Sequence, residues 1–370
     1  MIPDPVFLTG ATGFLGMEVL ARLLERGQRQ VICLVRASDD AAAQARMDAV
    51  LATLWRDPEP YRARVRAVAG DVTLPGLGLS GPDRTGIAEG VGAVLHCAAS
   101  ITFDLPLDQA RAINVEGTRE VIGFAREARA LGRLRRFVHV STAYVAGRHM
   151  GTFRERQLSA GQSFRNTYER TKWEAECVVR AAEDLAPLIA RPSIVMGEAT
   201  SGWTPAFNVL YWPLRAYARG LLESVPAHLH GRVDVVPVDY VADALVHLLE
   251  PDGSGVVNLV SGRDAPTVDE LMDMATARFG RPRPDVVPPG SGPAGSAATE
   301  EHGAVFVPYF DMEVVFDDTR ARALLGPAGI RCPRLDEYFG TLIDYAERAR
   351  WGKSPLTREE ARELTAAVAA

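Results

Sequence analysis

A tyrosine and a lysine four residues apart lie in "FRNTYERTKWEAE", a segment that reads as a helix. Residues i and i+4 share one face of a helix, so the ammonium group of Lys172 would lie beside the hydroxyl group of Tyr168. A neighbouring cation lowers the pKa of tyrosine from about 10, which would suit proton transfer in catalysis. The pair is equally consistent with two polar residues on an exposed helix face, so its surroundings must decide.

A second candidate site follows the first strand-like run, in "VFLTGATGFLGMEVLARLL". Glycines at such a turn let the backbone approach a pyrophosphate, whose charge then lies at the N-terminus of the next helix. Directly after the first strand of a parallel α/β pattern, the spacing G-x-x-G-x-x-G predicts a dinucleotide site. The alternative is a tight strand–helix turn without a ligand. The residues assigned to the loop are Gly10, Thr12, Gly13, Phe14, Leu15 and Gly16.

The ends of the later strands indicate which dinucleotide binds. In "CLVRA", Arg36 stands where an NAD site usually has an acidic residue, and its guanidinium suits the 2′-phosphate of NADP. Arg46 could assist it or could lie on a solvated helix face. The predicted cofactor is therefore NADPH. Further cofactor contacts are predicted at strand ends, where ligands bind in such sheets, at Asp71, Val72, Ala98, Ala99, Pro192 and Ser193.

The elements that position these residues alternate between short, continuous apolar runs and helical patterns. Such alternation is typical of buried parallel strands in a doubly wound α/β sheet, a Rossmann-type fold. The predicted strands are "VFLTG", "QVICLV", "VRAVAGDV", "AVLHCAA", "RFVHVST", "APLIARPSIVMG", the start of "VDVVPVDYVADALVHLL", and "GVVNLVSG". Helices are predicted at Glu18–Arg26, Ala41–Trp55 and Val115–Leu131.

Two lobes are predicted from this pattern. An NADP-binding Rossmann domain would cover residues 1–200 and be completed by about 233–262. A smaller C-terminal substrate-binding lobe would cover 201–232 and 263–370, with a flexible loop near 282–303 that is either a surface insertion or a lid. Thr357 and Glu360 have the spacing of a capping box for a C-terminal helix.

Composition argues against several classes of function. The chain has 370 residues and a formal net charge of −6, which disfavours a nucleic-acid binder. Its four cysteines are widely separated, which predicts neither a disulfide framework nor a zinc site and fits a reducing cytoplasm. No apolar stretch is long enough to span a bilayer, and no signal peptide is apparent. We predict a cytoplasmic protein without a metal or stable membrane insertion, whose oligomeric state the sequence does not indicate.

The motifs "TGATGFLG", "INVEGT", "VSTAYV" and "YERTK" occur in a characteristic order. Over nearly its whole length the chain resembles the extended short-chain dehydrogenase/reductase family. The resemblance implies that Tyr168 is the catalytic acid/base and that Lys172 is its partner and holds the nicotinamide ribose. Thr142 would take the place of the family's active-site serine or threonine, with Ser141 as a rival hydroxyl.

Asn114 in "INVEGT" matches the asparagine that supports the active site in this family. Because it directly precedes the helix predicted from Val115, it could instead be a simple helix cap.

Within the family the chain is similar to the thioester reductases, which include fatty acyl-CoA reductases and the reductase domains of carboxylic acid reductases and nonribosomal peptide synthetases. The features are "GATGFLG", "CLVRA" followed by Arg46, "HCAASITFDLPL", "GQSFRNTYERTKWEAE" and "VDVVPVDYVADAL". The resemblance implies hydride transfer from NADPH to a CoA-bound or carrier-bound acyl thioester, giving an aldehyde that a second hydride could take to the alcohol. No adenylation or carrier domain is found, so a free-standing enzyme is expected.

The apolar segment "WTPAFNVLYWPLRAYARGLL" would line an acyl channel or form the core of the small lobe. Two other functions stay open. One is another extended-family enzyme, such as a nucleotide-sugar epimerase or a ketone reductase, which Arg36 disfavours. The other is a non-catalytic dinucleotide sensor, which would not need the Thr, Tyr and Lys set.

Overall fold

A parallel sheet of seven strands forms the centre of the computed structural model, which describes residues 4–207, 209–250, 253–288, 307–310 and 312–369. In chain order the strands are β1 (Val6–Thr9), β2 (Val31–Val35), β3 (Val65–Ala69), β4 (Ala93–His96), β5 (Arg136–Val140), β6 (Gly151–Phe153), β7 (Leu188–Pro192), β8 (Ile194–Met196), β9 (Ser224–Pro226), β10 (Val235–Pro237), β11 (Gly255–Leu259), β12 (Asp285–Val287) and β13 (Val314–Phe316). The order in the sheet is β11-β7-β5-β4-β1-β2-β3. This confirms the predicted α/β class.

Helices cover both faces of the sheet. In chain order they are α1 (Phe14–Arg26), α2 (Asp40–Leu54), α3 (Glu59–Arg62), α4 (Gly81–Gly90), α5 (Leu107–Arg111), α6 (Gly117–Ala130), α7 (Thr167–Arg180), α8 (Tyr211–Ala218), α9 (Val238–His247), α10 (Val268–Phe279), α11 (Thr319–Leu325), α12 (Leu335–Arg348) and α13 (Arg358–Ala369). Successive side chains of β1 point to opposite faces of the sheet. Val6 and Leu8 are buried with α1, α2 and α9, whereas Phe7 packs against Phe124 of α6 with ring centroids 4.4 Å apart.

The strand order reverses beside β1, which is flanked by β2 on one side and β4 on the other. In a doubly wound sheet this reversal opens a crevice at the carboxyl ends of the strands, where ligands bind. Thr9, Leu34 and His96 lie at the same level across the three strands. The residues that follow them therefore surround one crevice.

A second, smaller core lies beside the sheet. It contains Leu214, Leu271 and Leu342 from α8, α10 and α12, together with strands from three parallel pairs, β8–β10, β9–β12 and β6–β13. Phe153 of β6 is buried in this core although it falls within the predicted 1–200 domain. The predicted domain boundaries therefore stay predictions.

Two predicted elements differ from the structure. The single strand predicted in "APLIARPSIVMG" is two strands, because the chain leaves the main sheet at Ser193 and β8 pairs with β10 instead. In the loop predicted near 282–303, Asp285–Val287 form β12, which is held by pairing with Ser224–Pro226. The rest of that predicted loop, residues 289–303, lies outside the described residues.

The C-terminal helix is attached to α1 and to the segment after β8 by a buried ion network. The guanidinium of Arg358, which is 1% exposed, lies 2.7 Å from Glu18 of α1, 3.0 Å from Glu198 and 2.6 Å from Glu25. The predicted capping box is present, since Glu360 N donates to Thr357 Oγ1 at 3.1 Å and Thr357 N donates to Glu360 Oε2 at 2.9 Å.

No helix in the part of the chain that the structure describes is both long and apolar enough to cross a membrane. The four cysteines are free thiols.

Candidate active site

Helix α7 carries the tyrosine and the lysine, and its start is fixed by a cap. Asn166 Oδ1 accepts a hydrogen bond from Glu169 N at 2.9 Å, which ends the preceding loop and begins the helix at Thr167. Lys172 is 3% exposed, and its Nζ donates to the carbonyl oxygen of Val140, at the end of β5, at 2.8 Å. The face that bears Lys172 is therefore packed on the sheet rather than exposed to solvent.

Tyr168 interacts with the hydroxyl of Thr142, the second residue after β5. Burial raises the pKa of Tyr168 to about 12, and the bond with Thr142 opposes that shift. The prediction of a lowered pKa for Tyr168 is wrong for this structure, because burial is the largest effect on that pKa and raises it. Tyr168 is consequently protonated at neutral pH and suited to donate a proton to a developing oxyanion.

The two candidate hydroxyls at the end of β5 have different partners. Ser141 Oγ donates to Glu176 Oε2 at 2.9 Å, and the same carboxylate pairs with Arg191 at 2.6 Å. Thr142 instead contacts Tyr168, and its Oγ1 donates to the carbonyl oxygen of Pro192 at 3.4 Å. The geometry therefore selects Thr142 over Ser141 as the hydroxyl beside Tyr168.

Asn114 connects the sheet with the catalytic helix. It lies in a π-helical turn, Ala112–Glu116, that joins α5 and α6 into one continuous helix, so it does not cap a helix at Val115. Its Oδ1 accepts from Ser100 N at 2.8 Å, and its Nδ2 donates to Thr171 Oγ1 of α7 at 3.0 Å. Such π-turns frequently occur at functional sites, and the contacts fit a supporting role.

The glycine loop between β1 and α1 has the shape that a dinucleotide needs. Gly10 has φ +81°, and a Cβ there would lie 2.7 Å from Ala98 N. A Cβ on Gly16 would lie 2.0 Å from the carbonyl oxygen of Gly10, so α1 approaches the loop closely only because Gly16 has no side chain. Gly13 is exposed at the N-cap of α1, where a pyrophosphate would meet the helix N-terminus. The backbone therefore fits a dinucleotide.

The remaining loop residues, Thr12, Phe14 and Leu15, are half-buried at the same turn.

Arg36 and Arg46 meet at the end of β2. Arg36 is exposed, and the guanidinium of Arg46 donates to the carbonyl oxygen of Arg36. This contact places two cations at the edge where the adenosine end of a dinucleotide would lie, and both are exposed to a ligand. Asp71, after β3, is half-buried and accepts from Thr73 N at 2.8 Å.

The other predicted contact residues lie at the ends of β3, β4 and β7. Val72 is buried, its side chain fills the space beside Gly117, and Ala98 and Ala99 are half-buried after β4. Pro192 ends β7 beside Thr142, whereas Ser193 is 6% exposed and its hydroxyl lies near the Asp234 carboxyl. These residues lie at the carboxyl ends of the strands, and their contact with a cofactor stays a prediction.

An aromatic group that the sequence did not predict lies against Tyr168. Phe103 is 5.5 Å from Tyr168 and 5.4 Å from Tyr309 between ring centroids, and Tyr309 is 5.0 Å from Tyr144. The sequence did not decide whether Tyr144 lies in the core or in the cleft wall. It belongs to both, since it is buried and contacts this aromatic group. Tyr309 lies 141 positions after Tyr168, so no local pattern could have linked them.

Among the residues that the structure describes, no group of three or more His, Cys, Asp or Glu side chains is placed to hold a metal ion.

Comparison with known families gives one match that covers most of the chain. Residues 8–245 match the NAD-binding family model described as "Male sterility protein". The chain is 34% identical over 280 residues to the protein named "Fatty acyl-CoA reductase wat" from Drosophila melanogaster, covering 65% of this chain and 53% of that protein. The chain thus spans about half the length of that relative.

Solved structures of similar fold include reductase domains of synthetases. The terminal R domain from the myxalamid PKS-NRPS biosynthetic pathway superimposes with a TM-score of 0.82 at 27% identity, over 96% of this chain and 93% of that domain. A thiolation-reductase di-domain from an archaeal non-ribosomal peptide synthetase has a TM-score of 0.76 at 21% identity, over 95% of this chain and 76% of that one, which shows a shared fold.

Proposed function

The chain belongs to the family described as "Male sterility protein", and we propose on this basis that it reduces acyl thioesters with NADPH. It lies in the thioester reductase branch of the extended short-chain dehydrogenases/reductases. The observation that carries the proposal is the meeting of Thr142 and Tyr168 past the end of β5, where the buried ammonium of Lys172 is anchored on the Val140 carbonyl.

When bound, NADPH would supply the hydride that adds to the thioester carbonyl carbon. Tyr168 donates its proton to the carbonyl oxygen as charge develops there, and Thr142 holds the same oxygen by a hydrogen bond. The product of this step is a hemithioacetal. Its hydroxyl proton returns to the Tyr168 phenolate as the C–S bond breaks, which leaves the aldehyde and a thiolate that takes a proton from water.

Lys172, one helical turn after the tyrosine, supports this step. Its ammonium is anchored on the Val140 carbonyl, 2.8 Å away, and burial lowers its pKa to about 8. At neutral pH the group is therefore largely a cation in a dry environment, where it stabilises negative charge more strongly than it would in water. This position also suits a bond to the nicotinamide ribose.

We propose NADPH rather than NADH because of the two cations at the end of β2. Replacing Arg36 with alanine should raise the KM for NADPH about tenfold or more and leave the KM for NADH within about twofold, since a bond to a charged group contributes about 1.5–3 kcal/mol. Steady-state kinetics with both cofactors would check this. Equal KM increases for the two cofactors would contradict a role for Arg36 at the 2′-phosphate.

The thioester could be carried by CoA or by a carrier domain. The Drosophila relative is named as a fatty acyl-CoA reductase, and the two solved domains come from peptide or polyketide synthetases. The chain itself distinguishes neither source, so both belong to the proposal. The cytoplasmic location stays a prediction.

We place the acyl group in an apolar cavity of the small lobe, about 60 Å³ in volume. The cavity is lined by apolar residues of α8 and α10 and by Phe310, which follows Tyr309 of the aromatic group beside Tyr168. Leu210, Leu214 and Tyr217 of the apolar segment 203–222 line it, whereas Trp203 of the same segment is fully buried. The segment therefore serves both as core and as cavity wall.

The test is to incubate the protein with NADPH and matched concentrations of acyl-CoAs, acyl-pantetheines and the corresponding aldehydes. We expect NADPH oxidation and thiol release with thioesters, at a rate that depends on acyl length. In Tyr168→Phe the rate of thioester reduction should fall by about 10²–10⁴. The control is Tyr61→Phe, at a tyrosine that stacks on Trp55, and its rate should equal that of the wild type. Oxidation of NADPH with aldehydes alone would contradict thioester reduction.

A further inference from the structure

His96, the last residue of β4, links two threonines inside the protein. It is 1% exposed, its Nδ1 lies 2.8 Å from Thr9 Oγ1 of β1, and its Nε2 lies 3.1 Å from Thr118 Oγ1 of α6. The register of β1 and β4 puts Thr9 directly opposite His96. No proposed catalytic step uses this histidine.

The directions of these hydrogen bonds follow from counting protons. Thr118 Oγ1 lies 2.6 Å from the carbonyl oxygen of Asn114, which can only accept, so Thr118 spends its one proton there. Thr118 must then accept from His96, which places the imidazole proton on Nε2. The other nitrogen, Nδ1, must accept from the Thr9 hydroxyl.

This direction leaves the Thr9 oxygen free to accept two bonds. Cys97 N and Ala98 N both donate to Thr9 Oγ1 at 3.2 Å. The Ala98 amide is also the group that approaches Gly10 of the glycine loop most closely. His96 therefore orients the hydroxyl that fixes the backbone floor of the dinucleotide crevice.

The network continues from Thr118 to the catalytic helix. The same Asn114 whose carbonyl accepts from Thr118 also donates from its Nδ2 to Thr171 Oγ1. Thr171 Oγ1 in turn donates to the carbonyl oxygen of Thr167 at 2.8 Å, with that of Tyr168 3.2 Å away. One buried chain of bonds thus connects the crevice floor with the first turn of α7, which carries Tyr168.

We propose that His96 is a positioning residue that fixes both the dinucleotide floor and the catalytic helix through its Nε2–H tautomer. This inference rests on the proposed function, because it assigns the floor to a bound nicotinamide dinucleotide. His96 does not titrate in the working range, since burial and the charge of Lys172 lower its pKa to about 3.

The tautomer is measured directly by ¹⁵N NMR of protein labelled at histidine. We expect the His96 resonances of a neutral ring protonated at Nε2 from pH 6 to 9. Protonation at Nδ1, or a doubly protonated ring at pH 7, would overturn the assignment. This measurement does not depend on any substrate or cofactor.

Two substitutions distinguish the roles of the two ring nitrogens of His96. In His96→Asn the amide oxygen can replace Nδ1 and keep the Thr9 bond, so the Kd for NADPH should stay within about twofold while kcat falls about tenfold. In His96→Gln the amide can replace Nε2 and reach Thr118, so kcat should be less affected while the Kd rises about tenfold. Kd is measured by NADPH fluorescence and kcat with a thioester.

His139→Asn is the matched control. Its ring is fully buried 5.2 Å from that of His96, and neither of its nitrogens has a hydrogen-bond partner among the described residues. It should change the melting temperature without changing Kd or kcat. If both His96 variants behave like His139→Asn, the positioning role is overturned.

If the His96 variants do not fold, the isosteric change Thr118→Val breaks the same chain. We expect about a tenfold lower kcat with an unchanged Kd, and near-normal values in Thr118→Ser, which keeps the hydroxyl. Normal kcat in Thr118→Val would overturn the proposal. A wild-type protein that binds NADPH but reduces no thioester would instead contradict the proposed function.

Discussion

At the scale of single residues, burial sets the protonation of the two titratable groups on α7. The spacing of Tyr168 and Lys172 placed both on one helix and the motif around Thr142 marked the end of β5, whereas their catalytic roles stay predictions. The pKa shifts depend on burial, which is a property of the assembled fold, and burial raises the pKa of Tyr168 and lowers that of Lys172. His96 carried no signal beyond its place at a strand end, so its two threonine partners could be found only from the structure.

The pH dependence of activity should follow Lys172. Because its pKa is about 8, the ammonium loses its proton as pH rises through that value, whereas Tyr168, with a pKa of about 12, stays protonated. We expect kcat/KM to fall above pH 8 by up to about tenfold per pH unit, as for the loss of one essential proton. A pH–rate profile from pH 6 to 10 measures this.

Stability should change in the opposite direction over the same range. Between the folded pKa of about 8 and the unfolded pKa of about 10.4, the unfolded chain binds more protons at Lys172, so this group makes the free energy of unfolding rise with pH. Lys172→Met should remove that contribution to the free energy of unfolding.

A wild-type kcat/KM that stays constant up to pH 10 would contradict the assignment of Lys172.

At the scale of elements, the regular strands and helices were predictable and the irregular ones were not. Continuous apolar runs marked β1, β2 and β5, because a strand buried on both faces needs no alternation. The irregular elements depend on other parts of the chain. The break at Ser193 and strand β12 are set by pairing with distant strands, and the π-turn at Ala112–Glu116 forms where α5 joins α6. A single segment contains no signal for such partners.

The glycine loop gives a prediction at this scale. Gly16→Ala would put a Cβ 2.0 Å from the Gly10 carbonyl oxygen, so α1 must move away from the loop. We expect a loss of about 1–3 kcal/mol in the free energy of unfolding, as for overpacking, together with much weaker NADPH binding. Urea denaturation and fluorescence titration measure the two effects.

Gly13→Ala and Gly90→Ala are the comparison variants. A Cβ on Gly13 has its nearest contact at 3.4 Å, and one on Gly90 meets open space. Gly13→Ala should therefore lose about 1 kcal/mol or less in the free energy of unfolding but bind NADPH more weakly. Gly90→Ala should change neither the stability nor the NADPH affinity. Full NADPH affinity in Gly16→Ala would show that the cofactor does not use this loop.

At the scale of the whole molecule, the C-terminal helix belongs energetically to the Rossmann sheet. Arg358 of α13 is buried between Glu18 of α1, Glu25 and Glu198. The sequence predicted the capping box that begins α13 but not where the helix packs, because the partners of Arg358 lie at least 160 positions away.

Removing that guanidinium should be costly. Arg358→Met keeps an apolar stem but removes one of three guanidiniums around these carboxylates, since Arg22 and Arg362 also pair with them. We expect a loss of about 1.5–3 kcal/mol in the free energy of unfolding, as for hydrogen bonds to charged groups. Arg56→Met removes a surface arginine that is 54% exposed and pairs with Glu360 and Glu363 of the same helix, and it should cost about 1 kcal/mol or less. Equal losses in urea denaturation would refute the buried network as the anchor of α13.

The central claim is that this chain transfers hydride to the carbonyl carbon of a thioester. The most direct measurement uses NADPH deuterated at the transferred position of C4, with acyl-CoA and acyl-pantetheine as substrates, and mass spectrometry of the products. We expect deuterium at C1 of the aldehyde or alcohol, free thiol in equal amount to the acyl product, and neither in Tyr168→Phe. Thioester that is recovered intact and unlabelled, while added aldehyde gains deuterium, would contradict it.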